Sequence, residues 1–523
     1  MISDFDVKLR RDGYTIYIND NMASVTFYPR DPSRTHQAVV DKCAALDKSF
    51  VTGSEALQYL EQSVSLQLAE IYKSSRQRQR RDLEDQPSKE ETAPQPVELS
   101  EDVTREITFI DVGSILESSI KKDDAAKLIT FCGMLLAQTE NDQVNVGFQS
   151  KSSTGKSYIP IELSAYFSPD EVIKIASASP TAFFHERGQP IFEGEGEPKK
   201  LKHFLVDLEG KILIFLDQQH FQLLEKMRGI LSHDEKELTF KITDKSAKMG
   251  LKTKTVLVRG FPSVFYCTTS QSPDEQEKTR LILLSASIDQ DKLQESIKLL
   301  SLRKGNSHEF AKQVSEHPGR AWLVSRIKGI RQTGIREVII PNHEETVCQR
   351  FLKKHQFLMP RHQRDFPRIM SLIKAHALLN VFHREKVMNG HGGEPISILA
   401  RQDDIDAGFA LYEKIADSNE RGLSPYVYGI FETVIKPLGQ GVKREEVQRK
   451  YYEVYHEMLS AEALKREILP QLETVGFIVQ EPDPDDKRRL LIYSTVPPPI
   501  ISESNRGEHT GVNLDTVLKE AQN

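Results

Sequence analysis

The segment Val144-Asn-Val-Gly-Phe-Gln-Ser150-Lys-Ser-Ser-Thr-Gly155-Lys156-Ser157 carries the plainest chemistry in the chain. An apolar run leads into a loop of small residues and ends on Gly-Lys-Ser. Small residues let successive backbone N–H groups curl around a phosphate, a lysine neutralises its charge, and a hydroxyl ligates a divalent cation. The pattern G-x-x-x-x-G-K-[ST] has Ser150 in place of its first glycine, and Pro160 falls early in the next helical stretch. Ser150, Ser153, Thr154, Gly155, Lys156, Ser157 and Tyr158 form the expected nucleotide-binding set, with ATP and Mg²⁺ as the expected cofactors.

Such a loop needs a second buried strand ending in a carboxylate to complete the Mg²⁺ shell. Lys211-Ile-Leu-Ile-Phe-Leu216-Asp217 supplies it, so Ser157 and Asp217 are the expected metal ligands. The crossover between the two strands includes a further strand pattern, Val172–Ala176, as an inserted parallel strand requires. Gln218 follows Asp217, where a general base would be useful. Glutamine can orient water but is a poor base. Three outcomes stay open: slow hydrolysis, a base supplied by Glu162 or Glu225, or a nucleotide-gated switch.

The elements that hold these residues divide along the chain. Residues 1–73 read as a small α+β domain, with strands at 14–18 and 23–28 and a helical pattern at 54–73. Residues 74–106 read as a charged linker: 82–106 holds nine acids against two bases. Residues 107–300 alternate strand and helix patterns as an α/β core does, 301–400 form a helical lid, and 405–495 form a third domain. Residues 496–523 read as a polar, mostly disordered tail, with a short helix predicted at 514–521.

After Asp217 comes an amphipathic helix from Phe221 to Leu231, then an alternating strand pair, 237–243 and 251–258. Residues 236–259 hold seven Lys and Arg against two acids, and Lys245, Lys248 and Lys252 crowd its turn. A solvated face accounts for such a run, and so does backbone contact with nucleic acid. The strand Ser263–Cys267 follows, ending in Thr268 and Thr269. Then come Arg280 ahead of another apolar strand and, much later, Arg364 ahead of Ala375-His376.

This order of parts resembles the AAA+ ATPases with a hairpin inserted before the sensor strand, most of all MCM-type and mobile-element replicative helicases, over about residues 120–390. The resemblance implies that Thr268 or Thr269 contacts γ-phosphate or water, although asparagine is more usual there. It implies that Arg280 acts in trans as an arginine finger and that Arg364 is the lid arginine. Singly, each arginine reads as a surface ion pair; their order carries the likeness. The resemblance further implies a homo-oligomer, a hexameric ring with DNA in its channel.

The third domain reads as three helices (424–435, 444–455 and 460–475) and a strand pair (476–480 and 489–493). Ser424-Pro425 and Ser460 are helix starts. This pattern resembles a winged helix-turn-helix, which makes Lys465, Arg466, Lys487, Arg488 and Arg489 DNA-contact candidates. Glu481, Asp483, Asp485 and Asp486 in the wing offset those bases, so a protein-interaction module is the alternative.

Composition excludes several classes. The 523 residues exceed one core, and 38% hydrophobic with 28% charged residues is globular rather than disordered. No apolar run is long enough for a membrane span, and MISDFDVKLRRDG lacks the apolar core of a secretory signal. Four scattered cysteines with no paired spacing fit a reducing cytoplasm, and the resemblance implies a prokaryotic or mobile-element origin. The formal net charge of -6 hides the basic hairpin and a basic 301–386 segment with seventeen Lys and Arg against seven acids. Trp322 reads as core, and His185, His203, His220 and His233 show no ligand spacing. The predicted function is a DNA-bound AAA+ ATPase, helicase-like. A non-translocating ATP-gated switch and a catalytically degenerate DNA-binding subunit are the alternatives.

Overall fold

The computed structural model describes residues 5–10, 13–18, 23–27, 101–151, 154–176, 189–193, 200–217, 221–244, 252–268, 279–388 and 395–495. The chain forms two compact units, Met1–Val97 and Glu98–Asn523. In the first, β1 (Phe5–Arg10), β2 (Gly13–Ile18) and β3 (Ala23–Phe27) pair antiparallel in chain order. Alternation in the sequence predicts β2 and β3, and β1 adds an edge. The helical pattern at 54–73, most of the acidic linker and the tail at 496–523 lie outside the described residues.

In the second unit the described residues include nine strands before residue 290: β4 (Asn145–Gln149), β5 (Val172–Ile175), β6 (Gln189–Glu193), β7 (Lys200–Asp207), β8 (Ile212–Phe215), β9 (Glu237–Asp244), β10 (Lys252–Arg259), β11 (Ser263–Thr268) and β12 (Ile282–Leu284). Five of them form an all-parallel sheet in the order β12-β4-β11-β8-β5. β4 and β8 are buried throughout, as parallel strands covered on both faces must be. On one face, Val146, Ile214 and Phe265 pack with helices α1 (Phe109–Leu116) and α2 (Asp124–Leu135). Beyond β4, a short helix α3 (Tyr158–Ser164) leaves the loop. On the opposite face, Leu213, Phe215 and Val264 pack with Leu223, Met227 and Ile230 of α4 (Phe221–Leu231). A parallel sheet sends every strand's carboxyl end to one edge, so the ends of β4, β8 and β11 are neighbours there.

The predicted hairpin is present, with Lys252 opposite Asp244 and Arg259 opposite Glu237. It does not stand alone. β10 also pairs in parallel with β7, making a four-stranded sheet β6-β7-β10-β9 that the sequence reading did not anticipate. Gly260, at φ +90°, makes the passage from β10 to β11; a Cβ there would lie 2.5 Å from the Glu209 nitrogen.

Four longer helices follow: α5 (Gln290–Gly305), α6 (Pro318–Gln332), α7 (His362–Leu379) and α8 (Gln402–Asn419). The stretch 301–400, expected to be helical, also carries β13 (Glu337–Ile339), β14 (Lys386–Met388) and β15 (Pro395–Leu399), paired in the order β13-β15-β14. Fully buried Arg326 on α6 donates to the carbonyls of Val103, Arg105 and Leu379, tying the segment before α1 to the end of α7. α8 belongs to the central core through Ile405, Phe409 and Tyr412.

A separate core begins at Leu423. It gathers Val427 and Ile430 of α9 (Pro425–Ile430), Val447 and Tyr451 of α10 (Arg444–Tyr455), and Leu469 and Leu472 of α11 (Leu469–Thr474). The antiparallel pair β16 (Ile478–Pro482) and β17 (Leu490–Ser494) closes it. Ser424 and Ser460 accept from the Val427 and Ala463 nitrogens, so both helix starts lie where the sequence places them. Among the described residues, no helix is long and apolar enough to cross a membrane.

Candidate nucleotide-binding site

β4 delivers a fully buried Ser150 at the sheet edge, and the loop turns back after it. The Thr154 hydroxyl sits 2.9 Å from the Lys151 carbonyl and 3.0 Å from Ser150 Oγ. Gly155 takes φ +95° with nothing within 4 Å of a would-be Cβ, so its backbone faces open space. Lys156 and Ser157 are half-buried, and Ser157 stands at the N-cap of α3 with no side-chain cap bond.

β11 lies between β4 and β8, so Thr268 at its end is flanked by the loop and by Asp217. Cys267 records this geometry. Its thiol donates to the Lys156 carbonyl at 3.5 Å. Burial pushes the thiol up to about 12, with Lys156 drawing it down and Asp217 raising it further. Asp217 is exposed and Thr268 is half-buried. Ser153, Gln218 and Thr269 lie outside the described residues.

Beside the loop a 250 Å³ cavity is lined by Ile120, Thr154, Gly155, Tyr158, Leu293 and Phe310. That is just under the roughly 300–1,000 Å³ of small-molecule pockets. Tyr158 donates to the Ser119 carbonyl at 2.9 Å, and burial followed by the Glu162 charge pushes its phenol up to about 12. In the wall of the cavity Lys292 of α5 pairs with Asp123 and reaches the carbonyls of Ser287 (3.0 Å) and Thr154 (3.3 Å). Sequence reasoning missed this pair, because no local spacing links position 123 to position 292.

Of the two alternative bases, Glu162 is paired with Arg320, whose guanidinium lies over the Tyr166 ring, and Glu225 is exposed on α4. Arg280 donates from Nε to Ser232 Oγ at 2.6 Å, and Arg368 of α7 bonds the Thr279 carbonyl at 2.7 Å. Arg364 is held below the usual arginine range by burial and then by the charges of Arg280 and Arg368. The two arginines singled out in the sequence therefore come together. Arg364 also lines a 750 Å³ cavity with Thr279, Arg361, Glu420 and Arg421.

The DNA-contact candidates are dispersed. Lys252 begins β10, while Lys245 and Lys248 lie outside the described residues. Lys465 and Arg466 are exposed, with Arg466 paired to Glu462 at 2.7 Å. Lys487, Arg488 and Arg489 are exposed, with Arg489 3.4 Å from Asp486.

No protein-family model matches the chain, and no curated protein does. Solved structures do. A full-length MCM homolog from Methanopyrus kandleri is 11% identical, at TM-score 0.33, over 59% of this chain. The chain spans only 60% of that homolog's length. The NrS-1 C-terminal region is 12% identical, at TM-score 0.22, over 75% of this chain and 77% of its own. Identities this low leave function to the site itself.

Proposed function

We propose that this chain is an AAA+-type P-loop ATPase that binds ATP with Mg²⁺ and works on DNA as a helicase-like motor within an oligomeric ring. The observation that carries this reading is the strand order β12-β4-β11-β8-β5, which brings the Gly-Lys-Ser loop, Thr268 and Asp217 to three adjacent strand ends. Backbone N–H groups of residues 150–158 cradle the phosphates, and Lys156 neutralises them. The Ser157 hydroxyl and Asp217 carboxylate are hard oxygen donors suited to Mg²⁺, which when bound would offset charge on the β- and γ-oxygens. Thr268 holds the γ-phosphate or a water, and Gln218 orients the attacking water. Arg280 and Arg364, gathered on one surface, serve a neighbouring subunit's nucleotide. The basic hairpin β9–β10 tracks the DNA backbone, and the C-terminal unit acts as a winged helix through Lys465, Arg466 and Lys487–Arg489.

Lys156→Ala tests the core of this reading. It should abolish binding of a fluorescent ATP analogue and DNA-stimulated turnover while leaving the thermal midpoint unchanged. Retained binding and activity would overturn it. One pairing favours a second reading, an ATP-gated switch that does not translocate. Glu162 is committed to Arg320, and Gln218 follows Asp217. Robust strand displacement in an unwinding assay eliminates the switch.

A further inference from the structure

Away from the nucleotide loop, three side chains converge where α7 begins and α8 ends. His355 follows a short helix, His362 is the first residue of α7, and Glu420 caps α8. One ligand atom from each lies within 4.8 Å of the others. The side chains of His355 and Glu420 are 9% and 15% exposed, and His362 is 5% exposed. We propose that His355, His362 and Glu420 bind one divalent transition-metal ion, with chemistry suited to Zn²⁺, and that the ion clips the start of α7 to the end of α8.

The hydrogen bonds around the cluster set up two of the three ligands. His355 Nδ1 faces the Phe351 carbonyl at 2.9 Å and therefore donates to it. That leaves the Nε2 lone pair directed at Glu420 Oε1, 3.0 Å away. An Nδ1–H bond to a backbone carbonyl is the outer-shell contact that fixes the ring and aims Nε2 in metal-binding histidines.

His362 is the informative member. Its Nε2 is buried with no hydrogen-bond partner, while Nδ1 accepts from the Met359 nitrogen at 3.2 Å. A buried ring nitrogen with no partner carries an unanswered desolvation cost. Coordination answers it at Nε2, which supplies its lone pair to the metal. The ring proton then sits on Nδ1, facing the Met359 N–H, so binding breaks that 3.2 Å bond and both donors turn to water. The completed donor set is two imidazoles and one carboxylate, the nitrogen- and oxygen-rich set of zinc sites with a fourth position left to water. Nearby Arg361 is already paired with buried Asp365, so its charge is partly answered.

The clip would fix the segment that precedes Arg361 and Arg364 against the segment that leads into the C-terminal core, and it stands whether or not the chain hydrolyses ATP. The test uses the untagged full chain, stripped with EDTA and titrated with Zn²⁺ against a chromophoric indicator, and with Co²⁺ followed by its visible absorption. The expected result is one Zn²⁺ per chain, tetrahedral Co²⁺ bands, and a thermal midpoint that rises with Zn²⁺. His362→Ala and Glu420→Gln should each weaken binding by more than the roughly 10–100-fold that loss of an outer-shell partner costs. Exposed His343→Ala should bind as the parent does. Glu420→Gln keeps the side-chain shape, so it carries the test if His362→Ala does not fold. Substoichiometric binding by the parent, or binding equal across all variants, would overturn the proposal.

Discussion

Lys292→Met isolates the contact that braces the Gly-Lys-Ser loop. Lys292 and Asp123 are 8% and 3% exposed in their side chains, and Lys292 also holds the Ser287 and Thr154 carbonyls. Removing one partner of a buried ion pair strands the other charge, at a cost of about 3–5 kcal/mol. Asp123 keeps the Ser287 N–H at 2.8 Å and feels Lys127, which points to the lower end, about 3 kcal/mol. Asp123→Asn/Lys292→Met removes the stranded charge yet leaves an oxygen for Ser287, and should recover about 2 kcal/mol. Urea unfolding followed through the fluorescence of the single tryptophan, Trp322, reads the same core. The pH dependence gives a second check. Burial raises the Asp123 carboxyl, so its contribution to stability is greatest when protonated and is lost as pH rises through its folded value. Losing Lys292 removes an influence that lowers it, so the deficit of Lys292→Met should shrink as pH falls. A deficit under about 1 kcal/mol, one that grows on acidification, or a double variant no better than the single would refute the reasoning.

Other outcomes follow from the same contacts. Arg280→Ala should keep nucleotide binding but lose turnover by up to about 10³–10⁵-fold, and mixing it with Lys156→Ala chains should restore part of the activity by pairing intact half-sites. No recovery on mixing would place Arg280 outside a shared site. Burial lowers His233 from 6.5 to about 4, against a smaller opposing effect of Asp234. The stability this histidine contributes is therefore complete above its unfolded value and lost as pH falls through the folded one, about 3 kcal/mol in all. His233→Asn, which tolerates the local φ of 57°, should flatten that acid limb in pH-dependent denaturation. Gly408→Ala would put a methyl 2.4 Å from Ile373 Cγ1 and 2.7 Å from its nitrogen, and should destabilise by at least about 2 kcal/mol by forcing α7 from α8. A thermal midpoint within a degree of the parent would contradict that packing.

Much of the central sheet was legible in the sequence because its strands are short apolar runs covered on both faces, a pattern that burial alone produces. Ile212–Phe215 and Ser263–Thr268 are strands for that reason. β6 and β7 were missed. Lys200-Leu-Lys-His-Phe-Leu-Val-Asp207 alternates weakly, and its strand state is decided by β6 and β10 on either side of it. The small sheet in 301–400 escaped for the same reason: β13 is three residues long and is held by β15 from far along the chain.

Local chemistry settled what lies within reach of a few residues: the Gly-Lys-Ser loop, the Ser424 and Ser460 helix starts, and the acid that ends β8. Those features depend on backbone geometry and charge at fixed offsets, which sequence writes directly. Tertiary structure decided every pairing between distant positions. It set Lys292 against Asp123, Arg364 beside Arg280, Glu162 under Arg320, and two histidines around Glu420. Each neighbour is selected by where two elements cross, and no spacing along the chain encodes that crossing.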